Sequence, residues 1–152
     1  GLPRFLLYGT RIYRQPPRLE GSCQIRQPSL LEGSCSNDNE TLSYHNYPVS
    51  AARGDASNPL EWVRVLTSPE DYVVLKLDID TPTIERALID QMLADSEVRS
   101  RVDELYWEHE VHTSPMIHQG WGAHGWPNET LAQSYELFTR LRELGIRAHS
   151  WV

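Results

Sequence analysis

From residue 58 onward, the spacing of apolar residues switches between a helical and a strand-like period. The segment NPLEWVRVLTS places Asn58 as an N-cap and Pro59 at the first helical position, which predicts a helix. The apolar stripe of this helix consists of Leu60, Val63 and Leu66. The next segment, YVVLKLDID from Tyr72 to Asp80, is almost continuously apolar, which is typical of a strand covered on both faces.

The same alternation continues to the end of the chain. Thr81 is placed to cap a helix that begins at Pro82. The apolar stripe of that helix consists of Ile84, Ala87, Leu88, Met92 and Leu93. ELYWEHEV, from Glu104 to Val111, then predicts a strand, LAQSYELFTRLREL a helix closed by Gly145, and IRAHSWV a last strand. This order predicts an α/β fold with a mostly parallel sheet flanked by helices.

The N-terminal part of the chain follows a different pattern. RQPPRLEGSCQI, from Arg14 to Ile25, is followed at once by a second copy, RQPSLLEGSCSN, from Arg26 to Asn37. Both copies are rich in Pro, Gly, Ser and Arg and lack helical or strand periodicity, so residues 1–40 are predicted to form a loosely ordered arm. The folded domain is predicted over 41–152, beginning with the strand candidate LSYHNY.

The two cysteines, Cys23 and Cys35, occupy equivalent positions in the two copies. Their spacing forms no Cys-Cys-His zinc pattern. A disulfide between them needs an oxidising compartment, and exposed free thiols are the alternative. The sequence leaves both open and assigns no compartment.

Charge is distributed unevenly along the chain. The first 36 residues carry five Arg against Glu20 and Glu32, so with a net charge of −7 overall the remainder carries −10. Because the main body has no basic stripe to replace the counterions of a phosphate backbone, nucleic acid is excluded as its expected partner. No run reaches the ~18 apolar residues of a membrane span, so no membrane partner is expected either.

Two strand ends carry the candidate catalytic and binding residues, because ligands of open α/β sheets bind beyond the carboxyl ends of the strands. Asp78 and Asp80 follow the strand that begins at Tyr72 and precede a helix N-terminus. If the strand continues through Asp80, both carboxylates point to one side, which raises one pKa or gathers a cation. In the alternative, Asp80 helps to cap the helix and Asp78 is solvated.

The second strand end is WEHEVH. Strand alternation places Glu108, Glu110 and His112 on one face and His109 on the other. A carboxylate and an imidazole at the carboxyl end of a strand can act as a general base, a general acid or a metal ligand. For each histidine, a surface position or an internal hydrogen bond is an equally good interpretation.

Together these motifs resemble the C-terminal half of an FkbM-type S-adenosylmethionine-dependent methyltransferase. The family shows Lys-Ile-Asp-Val-Glu-Gly after its fourth strand, and Lys76, Leu77, Asp78 and Ile79 match position by position. Asp80 stands where Glu is usual, and Thr81 replaces the usual Gly. WEHEVH resembles the acidic residue near His after the fifth strand, and HNYPVS resembles the third strand and its turn. The resemblance covers residues 42–152.

This resemblance implies a Rossmann-like three-layer sandwich that is incomplete on its N-terminal side. The catalytic residues it implies are Asp78, Asp80, Glu108, His109 and His112, and the adenine contacts are Asn46, Val49 and Ser50. No resident metal is expected. The implied activity is O-methyl transfer from S-adenosylmethionine to a small hydroxyl-bearing substrate such as a sugar, with Asp78 central and Glu108, with His109 or His112, taking the acceptor's proton.

The family's cofactor site begins with a Gly-rich turn and an acid-ended strand, and neither is recognisable here. FLLYGT, from Phe5 to Thr10, has one Gly and no adjacent acid. The sequence therefore predicts that this chain binds S-adenosylmethionine weakly or not at all. It also predicts that FLLYGTRIY replaces the missing central strands or that the sheet rearranges.

Two other classes of function remain open. Asp78-Ile79-Asp80 also fits the Asp-X-Asp of a nucleotide-sugar glycosyltransferase, in which paired carboxylates hold a divalent cation. The third interpretation is a non-catalytic α/β remnant or interaction module.

The connection from His112 to Pro127, HTSPMIHQGWGAHGWP, is long for a compact domain. Either it forms a ligand wall with His118, Trp121, His124 and Trp126, or it covers the end of the sheet.

Overall fold

The computed structural model describes the backbone of residues 4–8, 11–15, 33–37 and 40–44, and complete residues 48–111, 118 and 129–150. Several predictions lie outside the described residues. They concern Cys23, Asn46, His112, Trp121, His124 and Trp126, together with the side chain of Cys35.

Seven strands and four helices make up the described elements. The strands are β1 (Arg4–Tyr8), β2 (Arg11–Gln15), β3 (Gly33–Asn37), β4 (Glu40–Tyr44), β5 (Tyr72–Leu77), β6 (Glu104–Trp107) and β7 (Arg147–Ser150). The helices are α1 (Pro59–Leu66), α2 (Pro82–Ala94), α3 (Ser96–Arg99) and α4 (Leu131–Glu143). The predicted strand–helix alternation after residue 58 is confirmed, and α3 is an element that the sequence did not predict.

The strands form one sheet in the order β3-β4-β2-β1-β5-β6-β7. Strands β1, β5, β6 and β7 run parallel, while the β1–β2, β2–β4 and β3–β4 pairs are antiparallel. The α/β class is therefore confirmed. Strand β1, which overlaps the segment FLLYGT, pairs in parallel with β5. The division into an arm over 1–40 and a domain over 41–152 stays a prediction.

One face of the parallel strands packs against the helices. In register across β5, β6 and β7 lie Leu75, Leu105 and Ala148, all of them buried. The buried apolar cluster on this face draws on all four described helices. Its members include Leu60, Val63, Leu88, Ile89, Met92, Val98, Trp107, Phe138 and Leu141. We call this the helix-side face of the sheet.

The opposite face of β5–β7 carries polar and aromatic side chains. Glu104 lies at its centre and accepts hydrogen bonds from the hydroxyls of Tyr72 and Tyr106, while Arg147 lies 3.5 Å from it. The hydrogen bond from Tyr72 is the largest influence that lowers the pKa of Glu104. Residues of the same sheet therefore provide the hydrogen-bond donors that this half-buried carboxylate needs.

Local sequence signals account for the helix boundaries. The side chain of Asn58 accepts from the backbone N–H of Leu60 at 2.9 Å, which confirms the predicted cap of α1. Thr81 occupies the N-cap position of α2 as predicted, but its hydroxyl donates to Ile79 O at 3.2 Å and makes no cap hydrogen bond. Gly145 follows α4 with φ +100, a backbone conformation that glycine adopts without strain.

Strands β5 and β6 both end earlier than the sequence predicted. Strand β5 ends at Leu77 rather than Asp80, and β6 ends at Trp107 rather than Val111. Apolar periodicity reports burial, and it does not show where the ladder of hydrogen bonds stops. The predicted stripe of α1 was also wrong at Leu66, which is 52% exposed. Among the described residues, no helix combines the length and the apolar composition needed to cross a bilayer.

Candidate functional site

Three carboxylates meet where β5 and β6 end. Asp78 and Asp80 follow β5, and Glu108 directly follows β6. One oxygen from each carboxylate lies within 4.8 Å of the other two. We call these three residues the carboxylate cluster. The structure thus brings together three of the five predicted catalytic residues.

The backbone explains how the two strand ends converge. The N–H of Glu108 donates to Leu77 O at 3.1 Å, so the two chains remain side by side just beyond their strands. Asp80 then adopts φ 51, in the left-handed region that few residues other than Gly, Asn and Asp occupy readily. The two aspartates therefore do not share a side by strand alternation, which was one of the two interpretations that the sequence left open. A turn brings them together.

Asp78 is held by a buried lysine. Lys76 is only 5% exposed, and its ammonium group donates to Asp78 Oδ2. Burial opposes ionisation of Asp78, but hydrogen bonds from Lys76 and Glu108 together outweigh burial and hold the pKa of Asp78 below its usual value. Asp78 is therefore the ionised member of its pair with Glu108.

The pKa of Glu108 is shifted in the opposite direction from that of Asp78. Burial, followed by the hydrogen bond and the negative charge of Asp78, raises the pKa of Glu108 to about 7. The charges of Asp80 and Glu110 act in the same direction. A carboxyl group that titrates near neutral pH can both accept and return a proton under physiological conditions, which is the requirement for a general acid–base residue.

A buried glutamate on α2 binds both segments that carry the carboxylate cluster, the turn after β5 and the end of β6. Glu85 is 3% exposed; one of its oxygens accepts from Ile79 N at 3.0 Å and the other from Trp107 Nε1 at 3.0 Å. Burial is the largest influence on Glu85 and raises its pKa. Glu85 was not among the site residues predicted from the sequence. The available signal was its spacing from Leu88, Ile89 and Met92, which places an acid on the buried side of a helix.

His109 points away from the carboxylate cluster, as strand alternation predicted. It is 4% exposed, and its Nδ1 lies 2.9 Å from Ser134 Oγ and its Nε2 2.8 Å from Glu129 Oε2. Its ring stacks on Trp107 with a centroid distance of 3.9 Å. Burial, assisted by the charge of Arg86, lowers the pKa of His109 to about 4, so the imidazole is neutral at pH 7.

The predicted adenine contacts are only partly described. Val49 is half-buried and packs against the core. Ser50 is half-buried in a turn, where its hydroxyl accepts from Ala52 N at 3.1 Å and its N–H donates to Ser57 O at 3.1 Å. Asn46 and the catalytic candidate His112 lie outside the described residues.

The carboxylate cluster has the chemistry of a site for a hard cation. Carboxylate oxygens are the ligands that Mg²⁺, Mn²⁺ and Ca²⁺ prefer, and Asp78, Asp80 and Glu108 supply three of them. Lys76 supplies a competing positive charge to Asp78. The cluster can therefore work in two ways, as a proton-transfer pair or as a cation site.

Comparison of the chain with protein-family models, with curated proteins and with solved structures found no match.

Proposed function

We propose that the carboxylate cluster is the acid–base site of an enzyme that transfers a group to the hydroxyl of a small molecule, and that the group is a methyl from S-adenosylmethionine. The observation that carries the proposal is the pairing of ionised Asp78 with Glu108, whose pKa is raised to about 7. Such a pair can deprotonate a hydroxyl at neutral pH. The resemblance of Lys76–Ile79 to the FkbM-type motif supports methyl transfer, and a Rossmann-like sandwich that is incomplete at its N-terminal side belongs to the same proposal.

The residues have separate tasks in this reaction. The Glu108 carboxylate accepts the proton of the acceptor hydroxyl as its oxygen becomes nucleophilic. Asp78, fixed by Lys76, accepts a hydrogen bond from the substrate and keeps the pKa of Glu108 high enough for proton transfer. When bound, S-adenosylmethionine would supply a methyl group whose bond to the positively charged sulfur breaks as the bond to the acceptor oxygen forms, and S-adenosylhomocysteine would leave as a neutral thioether. Catalysis then depends on in-line placement of the reactants and needs no covalent enzyme intermediate.

Affinity for the methyl donor is expected to be low in this chain. The Gly-rich turn and the acid for the ribose hydroxyls are not recognisable in the sequence, so few contacts offset the lost freedom of the ligand. Calorimetric titration with S-adenosylmethionine should show binding weaker than the micromolar range. A low micromolar dissociation constant, about −8 kcal/mol, would mean that the N-terminal strands have rebuilt the cofactor site.

The proposed activity is tested with labelled S-adenosylmethionine at millimolar concentration, which fills a weak site, and a panel of sugars and other hydroxyl compounds. We expect slow methyl transfer that the Glu108→Gln variant loses by about 100-fold or more, as expected for a lost general base. Glu110→Gln, two residues further along, is the matched control and should retain transfer. Transfer that persists in Glu108→Gln, or that fails with every acceptor, would refute the proposal.

A second candidate function is favoured by the geometry of the carboxylate cluster. Asp78-Ile79-Asp80 with Glu108 would hold a divalent cation against the diphosphate of a nucleotide sugar, and the reaction would be glycosyl transfer. Calorimetry with Mn²⁺ alone separates the two candidates. Micromolar binding that is lost in Asp80→Asn would favour glycosyl transfer, whereas methyl transfer should be insensitive to EDTA. If Mn²⁺ does not bind and no methyl transfer is detected at millimolar S-adenosylmethionine, the non-catalytic interpretation stands.

A further inference from the structure

We propose that Glu85 is a positioning residue that fixes the two arms of the carboxylate cluster relative to each other by binding both through one buried carboxylate. The inference deepens the proposed function and rests on it, because it assigns a task to a residue that touches neither the substrate nor the reacting atoms. The first arm is the turn that carries Asp78 and Asp80. The second consists of Trp107, at the end of β6, and Glu108, which directly follows it.

Each arm is bound at the residue next to its carboxylate. Ile79, which donates its backbone N–H to Glu85 Oε1 at 3.0 Å, lies between the two aspartates. Trp107, which donates its indole N–H to Glu85 Oε2 at 3.0 Å, directly precedes Glu108. Glu85 itself is anchored in the first turn of α2, so a single rigid element holds both arms.

Burial limits alternative explanations for a carboxylate at this position. Glu85 is 3% exposed and Trp107 is fully buried, so an apolar side chain at position 85 would pack there without the cost of burying a carboxylate. What an apolar residue cannot supply is a pair of acceptors that face in two directions. The backbone N–H of Thr81, at the end of the turn, contributes a further hydrogen bond to the same carboxylate.

The turn has neighbours that fix it on both sides. Asp80 has φ 51, a left-handed conformation that Asp tolerates better than most residues, and contacts of the flanking residues help to select it. Ile79 and Thr81 flank Asp80, and both donate to Glu85. Loss of the carboxylate would release the turn and move Asp78 relative to Glu108, even if the core stayed packed.

Amide hydrogen exchange of the ligand-free protein tests the proposal. Glu85→Gln keeps the shape of the side chain, but its amide group has one acceptor oxygen where the carboxylate has two. We expect the amides of Ile79 and Thr81 to exchange at least about 10-fold faster than the general acceleration measured in β5. If Glu85 served only the overall stability of the fold, every slowly exchanging amide would accelerate by the same factor.

A second measurement reports the arrangement of the arms directly. Nuclear Overhauser contacts between the side chains at 78 and 108 should be present in the wild type and lost in Glu85→Gln. Trp107→Phe removes the indole donor and part of the ring volume but keeps an aromatic ring in the core, so it should weaken the same contacts even if Glu85→Gln fails to fold. Contacts retained in both variants, or uniform exchange acceleration, would overturn the proposal. Neither measurement uses the methyl donor or a cation, so failure of the proposed function would leave this result unaffected.

Discussion

Replacing His109 by Gln should remove a pH dependence of stability that the wild-type protein shows in mild acid. The imidazole is buried against Trp107 and its pKa is lowered to about 4, compared with an ordinary value of 6.5. The unfolded chain therefore binds a proton at a higher pH than the folded chain does. Stability due to this residue is complete above about pH 6.5 and is lost as the pH falls towards about 4.

The magnitude follows from the size of the shift. One proton contributes at most about 1.4 kcal/mol per pH unit, so the window from 6.5 to about 4 corresponds to roughly 3 kcal/mol. Glu129 accepts from the imidazole and by itself would favour the protonated form. Arg86 pairs with the same carboxylate and opposes that effect, so burial decides the direction.

The assay is urea unfolding of the wild type and His109→Gln at half-unit intervals between pH 4 and pH 7.5. The difference between their free energies of unfolding should shrink by about 3 kcal/mol as the pH falls, since only the wild type loses stability through this histidine. Ser134→Ala is the matched control: it removes one hydrogen-bond partner of the imidazole, costs about 1 kcal/mol, and keeps the pH dependence. A wild-type-minus-variant difference that stays constant across the range would refute the reasoning.

Three further predictions concern other parts of the structure. Asn58→Ala should lower the free energy of unfolding, measured by thermal or urea denaturation, by about 2–4 kcal/mol. The substitution removes the cap of α1 and a buried amide that donates to Ala52 O and Gln91 Oε1, and an unchanged stability would contradict this reasoning. Asp78→Asn should move the titration midpoint of Glu108 from about 7 towards 4.5 in carboxyl ¹³C NMR, and it should also cost about 1–3 kcal/mol because buried Lys76 loses its anionic partner. If methyl transfer occurs, its rate should rise with pH and level off above about 7 as Glu108 ionises, and a flat profile would exclude Glu108 as the base.

The Asp78 prediction differs from the one that the sequence supports. From the sequence, a carboxylate at the mouth of a strand contributes little to the core, so Asp78→Asn would leave the fold intact. The structure pairs Asp78 with a lysine that is 5% exposed. Strand alternation indicates that Lys76 shares a side with Asp78, but it does not show that this side is covered at Lys76.

Much of the architecture was predictable because local signals and burial agree. The Asn58-Pro59 start of α1, the Pro82 start of α2 and the closure of α4 at Gly145 each follow from the chemistry of one or two residues. The approach of Asp78 to Glu108 follows from a parallel sheet, in which strand ends meet at one edge. These inferences need only the order of the elements.

The remaining features depend on contacts between distant residues. The spacing of Glu85 places it on the buried side of α2, but only the position of Trp107 shows what its carboxylate binds. The raised pKa of Glu108 likewise depends on burial and on the distance to Asp78, neither of which periodicity reports. The left-handed backbone at Asp80 follows neither from a strand that continues through Asp80 nor from Asp80 as a helix cap, the two interpretations that the sequence allows.

All members of the carboxylate cluster, together with Glu85, come from one contiguous β–α–β stretch, from β5 through α2 and α3 to the end of β6. Closing a loop of this length costs little more entropy than closing a much shorter one, so pairing of β5 with β6 is enough to assemble the cluster. In the described backbone, β1 is the N-terminal strand that pairs with β5, and β2, β4 and β3 lie beyond it in the sheet. During folding, the cluster can therefore form before the N-terminal strands add to the sheet, and substitutions in β2, β3 or β4 should affect the rate at which the sheet is completed more than the geometry of the carboxylates.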